Sequence, residues 1–376
     1  MAAPGTAPIP VKLDASFRSG ATSTNLLLAA MLRAQGQVSD LIFSPGRLPQ
    51  VEVQGELVPM QAPGLSALTA DDTRRIAADL IDNNKQAVNL LREQGFCNVS
   101  YGVAGLARFR VNVFIQRGSC AVVMRVIPME VPGFAALGLP QQLEAVAGLR
   151  EGIVLVSGPR AAGKSSTLAA LLDRINEQRS CHIITVEDPI EFLHNHKRAT
   201  VHQRELHSDT PTFALGLQAA LRQSPQVILV SELRDRRTLE MSLEAAETGH
   251  LVLSSLNSVD AVKTVDRVIG MFSASEQPSA RRRLAKTLRY VISQRLLPRQ
   301  DGKGRIAAVE ILQNTPRVRE CIEREGQPGP GLLQAMKEGE AEGLQPLNSA
   351  LQKLLRQGLV SREAALAHAS DPLMLP

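Results

Sequence analysis

The chain has 376 residues, more than one hydrophobic core usually serves, so about two domains are expected. With 44% hydrophobic and 21% charged residues it has the make-up of a soluble globular protein, while the absence of Trp and the presence of only 2 Tyr exclude an aromatic platform for stacked bases, and no nucleic-acid partner is expected. A net charge of +5 from 42 basic and 37 acidic groups suits an anionic ligand or a membrane surface rather than a polybasic role, and 4 scattered Cys without a CxxC pair exclude a zinc knuckle and a disulfide framework.

The opening "MAAPGTAPIP" is rich in Pro, Gly and Ala and lacks the basic-then-apolar order of a signal peptide, so a flexible tail is expected over 1–24. "NLLLAAMLRAQG" (25–36) has helical apolar content, and "SDLIFSPGRLPQVEVQGELVPM" (39–60) reads as strand, turn, strand. "TADDTRRIAADLIDNNKQAVNLLREQG" (69–95) predicts one helix, capped by Thr69 and with acids in its first turn. "CNVSYGV", "ARFRVNVFIQRG" and "CAVVMRVIP" then alternate in the manner of antiparallel strands, which completes a small α+β domain over 25–128. The stretch 129–150 carries Pro132, Gly133, Gly138 and Pro140 and is expected to be a linker with some helix.

From 151 the texture changes. "GIVLVSG", "CHIITVED", "QVILVSE", "HLVLSSLN" and "IAAVEIL" are continuous apolar runs separated by helical segments, the pattern of parallel strands buried on both faces. An α/β domain is therefore expected over 151–376, closing in C-terminal helices such as "LNSALQKLLRQGLVSREAALAHA". No run approaches the roughly 18 apolar residues of a membrane span, and the cytoplasm is the expected compartment.

Within this domain "GPRAAGKSS" (158–166) matches G-x-x-x-x-G-K-[ST] directly after a strand and before a helix. Gly158, Pro159, Arg160, Ala161, Ala162, Gly163, Lys164, Ser165 and Ser166 are thus the candidate phosphate cradle, with Lys164 reaching the β- and γ-phosphates and Ser165 offering a hydroxyl to Mg²⁺. Should an alanine of this loop need positive φ, a cost of about 1–2 kcal/mol follows. "SPQVILVSELRD" (224–235) runs from an apolar strand into Glu232, placed to hold Mg²⁺ or its water beyond the carboxyl end of the sheet. "TVEDPIEF" (185–192) ends another strand with Glu187, Asp188 and Glu191, one of which would orient or deprotonate an attacking water.

In this order and spacing, "GPRAAGKSS", "VEDPIEF", "VILVSELRD" and "AAETGHLVLSSLNS" resemble the Walker A, Asp box, Walker B and His box of the secretion ATPase superfamily. "QREL", "LRYVISQRLL", "SDLIFSPGRLPQVEVQGEL" and "ARFRVN" resemble more narrowly the twitching-motility retraction ATPases of type IV pili, the PilT and PilU type. The resemblance implies a RecA-like P-loop ATPase domain preceded by a small α+β PAS-like N-terminal domain. It also implies a homo-hexameric ring, ATP and Mg²⁺ as cofactors, and hydrolysis that powers pilus retraction. The implied partners are an inner-membrane pilus platform protein and a paralogous retraction ATPase, with the ring peripheral at the cytoplasmic face of the inner membrane.

By the same resemblance Glu191 is the catalytic glutamate of the Asp box, Glu232 the Walker B glutamate and Mg²⁺ ligand, and His250 the first His-box histidine. Arg267 also has a counterpart, and Arg108, Arg110 and Arg125 lie in strands from which family members direct arginines at nucleotide. The chain departs from the pattern at Ser224, Pro225, Gln226, Ser231 and above all Asn257, where the second His-box histidine is expected. A neutral amide there predicts slower hydrolysis than in a His-bearing relative and a gain on Asn257→His. The alternatives are a catalytically attenuated paralogue that regulates a partner ring, and a pilus-assembly or type II secretion ATPase. His194 and His196 are assigned to a solvated loop rather than a metal, and "RRRLAK" (281–286) to a solvated helix face.

Overall fold

The computed structural model describes residues 9–10, 24–33, 38–53, 56–61, 66–103, 105–127, 130–324 and 331–375. The tail expected over 1–24 therefore lies outside the described residues except for Ile9–Pro10 and Thr24. The chain divides into two compact units, Met1–Met129 and Glu130–Pro376.

The first unit holds strands β1 (Ile9–Pro10), β2 (Val38–Phe43), β3 (Gln50–Val53), β4 (Glu56–Gln61), β5 (Phe96–Val103), β6 (Ala107–Gln116) and β7 (Ser119–Ile127) in the order β1-β4-β3-β2-β7-β6-β5. Helices α1 (Thr24–Arg33), α2 (Ala70–Ile81) and α3 (Lys85–Gln94) contribute Leu28, Met31, Ile76, Leu80 and Ala87 to a core shared with Leu41, Phe109, Val111 and Met124. Two expectations are corrected here. The segment 39–60 makes three strands, not two. The single helix foreseen over 69–95 is a pair, because the chain turns at Asp82, with φ 48°, and Asn84 caps a new helix by accepting from Ala87 N. Thr69 does open the first of them, in a reciprocal capping box with Asp72.

The second unit is a seven-stranded sheet with helices on both faces. Its strands are β8 (Gly152–Ser157), β9 (His182–Glu187), β10 (Thr200–Glu205), β11 (Val227–Val230), β12 (Leu251–Leu256), β13 (Leu288–Pro298) and β14 (Arg305–Gln313), in the order β10-β9-β11-β12-β8-β13-β14. Successive residues of the apolar runs alternate between two cores. Ile153, Leu155, Ile228, Val230 and Val252 face one, Val154, Val156, Val227, Leu229 and Leu253 the other. The remaining helices are α4 (Phe134–Leu137), α5 (Lys164–Gln178), α6 (Phe213–Ala220), α7 (Arg236–Glu247), α8 (Ala261–Gly270), α9 (Gln277–Thr287), α10 (Pro316–Arg324), α11 (Leu332–Glu338), α12 (Leu347–Arg356) and α13 (Arg362–Leu366).

Two further expectations change. The "IAAVEIL" strand, read as parallel, is β14 and runs antiparallel to β13, to which it is joined by a short turn around Gly302 and Gly304. The stretch expected as a linker is packed from Glu130 onward into the second unit: Leu143 and Val146 of the 3₁₀ segment Gln141–Gly148 share a core with Leu168 and Leu172 of α5, and Arg174 on α5 binds Glu144 at 2.7 Å.

Candidate active site

All strands from β8 to β12 point their carboxyl ends the same way, and the loops leaving four of them enclose a cleft of about 360 Å³. Arg160, Lys164, Ser165, Asp188, Glu191, Glu232, Arg234 and Asn257 line it.

The loop from β8 into α5 is shaped by close packing on β13. A Cβ on Gly158 would stand 2.5 Å from the Gln294 carbonyl oxygen, so only glycine lets the loop leave the strand there. Gly163, with φ 83°, caps α5. Between them Ala161 adopts φ 59°, the left-handed conformation that costs an alanine about 1–2 kcal/mol. Ala162 is buried, and Ser166 lies on α5 outside the cleft lining.

Lys164 Nζ donates to the carbonyls of Gly158 (3.0 Å) and Pro159 (2.9 Å) and to Asn257 Oδ1 (2.9 Å). Burial holds its ammonium below the usual lysine range, opposed by Glu232 and Glu191 and assisted by Arg160. Asn257, one residue beyond β12, completes the link by donating from Nδ2 to Glu232 Oε1, while Arg267 on α8 fixes its backbone by donating to the Asn257 carbonyl at 3.0 Å.

Glu232 stands two residues beyond β11, and its other oxygen accepts from Arg234 Nε at 2.7 Å. The same guanidinium donates to Asp188 Oδ2 at 2.7 Å and lies 5.6 Å from the centre of the Phe213 ring, so it joins the ends of β9 and β11 over an aromatic support. Ser231, a departure from the family pattern, accepts from Asp188 N at 3.2 Å. Burial pushes the Glu187 carboxyl up against the effect of hydrogen bonds from Thr185 Oγ1 and Gln203 Nε2. Glu191 is exposed at the cleft rim.

Hard oxygen donors, the Ser165 hydroxyl and the Glu232 carboxylate, thus line one cleft beside a lysine, a donor set that fits Mg²⁺ with a polyphosphate. His194 and His196 form no pair here: His194 approaches Asp173, and His196 Nδ1 accepts from Val201 N at 3.1 Å.

One candidate is corrected. His250 precedes β12 at the opposite end of the sheet, where its carbonyl accepts from Gly152 N and its Nδ1 bonds the Ala245 carbonyl. The six residues of β12, at about 3.3 Å each, separate it from Asn257, so within its own chain it is a packed histidine and no part of the cleft. Arg108, Arg110 and Arg125 belong to the first unit, where Arg125 binds Asp40 at 3.0 Å. Sequence reasoning missed Arg234 and Gln294. The signal available for Gln294 was a polar amide inside an apolar strand; it is 2% exposed, donates from Nε2 to the Ala162 carbonyl and accepts from Thr167 Oγ1.

Comparison with known proteins places this architecture. The family model for type II/IV secretion system proteins matches residues 98–323. The type IV pilus retractation ATPase PilT of Pseudomonas aeruginosa is 41% identical over 347 residues, which cover 92% of this chain and 98% of that protein. The type IV pilus ATPase PilU of the same organism is 36% identical over 345 residues, covering 92% and 88%. Among solved structures, the pilus retraction motor PilT with bound ADP superposes with a TM-score of 0.84 at 38% identity, over 94% of this chain and 99% of that one.

Proposed function

The chain belongs to the type II/IV secretion system protein family, and from that premise we propose that it is an ATPase motor of type IV pilus retraction. The observation that carries this reading is the convergence of Lys164, Asn257 and Glu232, bonded to one another in sequence, on a cleft that Glu191 also lines. The positive end of α5 opens on the same space, where Lys164 and Ser165 of its first turn line the cleft, which suits a polyphosphate.

In this reading Lys164 holds the β- and γ-phosphates. Glu191 takes a proton from a water that attacks the γ-phosphorus, ADP leaves, and Glu232 with Asn257 positions the groups around the transferring phosphoryl. Ser165 and Glu232 would hold Mg²⁺, which supplies positive charge to the phosphate oxygens when bound. Glu191 is exposed, so exclusion of bulk water falls to a neighbouring subunit in the ring of six identical chains that we infer, with Arg108, Arg110 and Arg125 as the arginines contributed to nucleotide. No helix among the described residues is long and apolar enough to cross a membrane. In this reading force passes to the pilus through an inner-membrane platform protein, with the ring at the cytoplasmic face.

The test separates binding from chemistry. Glu191→Gln should bind ATP about as wild type does and lose at least about a hundredfold in turnover, because a general base typically contributes 10²- to 10⁴-fold. Unchanged turnover would remove Glu191 from the mechanism.

A further inference from the structure

Gln294 reaches the phosphate loop from the neighbouring strand at three points. Its backbone carbonyl occupies the space beside Gly158, its Nε2 donates to the Ala162 carbonyl at 2.5 Å, and its Oε1 accepts from Thr167 Oγ1 at 2.8 Å in the first turn of α5. The Ala162 carbonyl belongs to the Ala162–Gly163 peptide, one residue beyond Ala161, which is held at φ 59°. Gln294 is itself buried, and both polar ends of its amide are satisfied by this loop and helix. A side chain placed this way fixes the orientation of the Ala162–Gly163 peptide and, with it, the backbone that leads into Lys164.

We propose that Gln294 is a positioning residue for nucleotide binding, its amide holding the phosphate loop in a conformation that Ala161 intrinsically disfavours. An L-residue gains nothing from the left-handed region and leaves it when unrestrained, whereas glycine populates it freely. Without the Gln294 bond the loop spreads over conformations in which its N–H groups no longer converge, and ligand affinity falls by the fraction of competent loop. With glycine at 161 that dependence weakens. The inference rests on the reading of this loop as a nucleotide cradle.

The experiment is a double-mutant cycle in the full-length chain, read as ADP affinity by calorimetry with thermal unfolding measured in parallel. Gln294→Leu should weaken ADP about tenfold in the wild-type background, the size expected for one buried hydrogen bond that organises a site. In an Ala161→Gly background the same change should cost no more than about threefold, a coupling that a general packing defect does not produce. Where Gln294→Leu fails to fold, Gln294→Met reads the same cycle, since it keeps the length of the side chain and loses the donor to Ala162. Equal losses in the two backgrounds, or no loss in either, overturn the proposal while leaving the nucleotide reading intact. Failure of the unmutated chain to bind ADP overturns both.

Discussion

Asn257 uses both ends of its amide, accepting from Lys164 Nζ and donating to Glu232. A neutral imidazole also has one donor and one acceptor, but an imidazolium has two donors and meets the lysine ammonium with like charge. The gain anticipated for histidine from the sequence alone therefore reverses sign once these contacts are considered. We predict that the turnover of Asn257→His relative to wild type is near unity at about pH 8 and falls several-fold toward about pH 6, where the ring charges. A several-fold gain at any pH in steady-state assays would contradict the bridging role. The loop itself was legible in the sequence, since the seven residues from Gly158 to Lys164 carry their pattern in local order between a strand and a helix. Arg234 was not. Asp188 lies 46 positions away, and the two meet only because β9 pairs with β11.

At the scale of elements, β14 carries an acid in the middle of a buried strand. Glu310 is 5% exposed, lies opposite Ser293 of β13, and accepts from Ala261 N at the start of α8 at 2.8 Å. Burial is the main cause that pushes its carboxyl up to about 7; Asp260 pushes the same way, while the Ala261 N–H, Arg295 and the Leu347 backbone oppose it. A carboxyl raised on folding adds stability that is fully present below its ordinary value of 4.5 and is lost as pH rises through about 7. Glu310→Gln keeps an acceptor for Ala261 and does not titrate. Wild-type stability should therefore decline between about pH 4.5 and 7 relative to this variant, by at most about 3 kcal/mol, in urea unfolding across pH. Parallel denaturation profiles would show that Glu310 does not titrate in that window.

Other elements differ in how plainly the sequence announces them. Strands β8 and β11 are apolar throughout their centres because they are buried on both faces, and β12 departs from this only at the buried Ser254 and Ser255. The direction of β14 has no such signature, since antiparallel pairing is decided by the short turn before it. The packing of 134–148 onto α5 was likewise hidden, because Pro and Gly mark an irregular path whether or not its apolar side chains find a core.

The whole molecule is two compact units, and composition with texture was enough to expect that number. In the proposed ring, the groups that complete each cleft come from a second copy. In the proposed motor Lys164 stands at the centre of nucleotide binding, and closure of the site falls to a neighbour. The most direct measurement is steady-state, Mg²⁺-dependent ATP hydrolysis by the purified full-length chain over a range of protein concentrations, beside Lys164→Ala. We predict turnover whose rate per chain rises with concentration until rings are complete, and which is lost in Lys164→Ala. Turnover no greater than that of Lys164→Ala at every concentration would contradict it and leave a nucleotide-binding regulator of another motor.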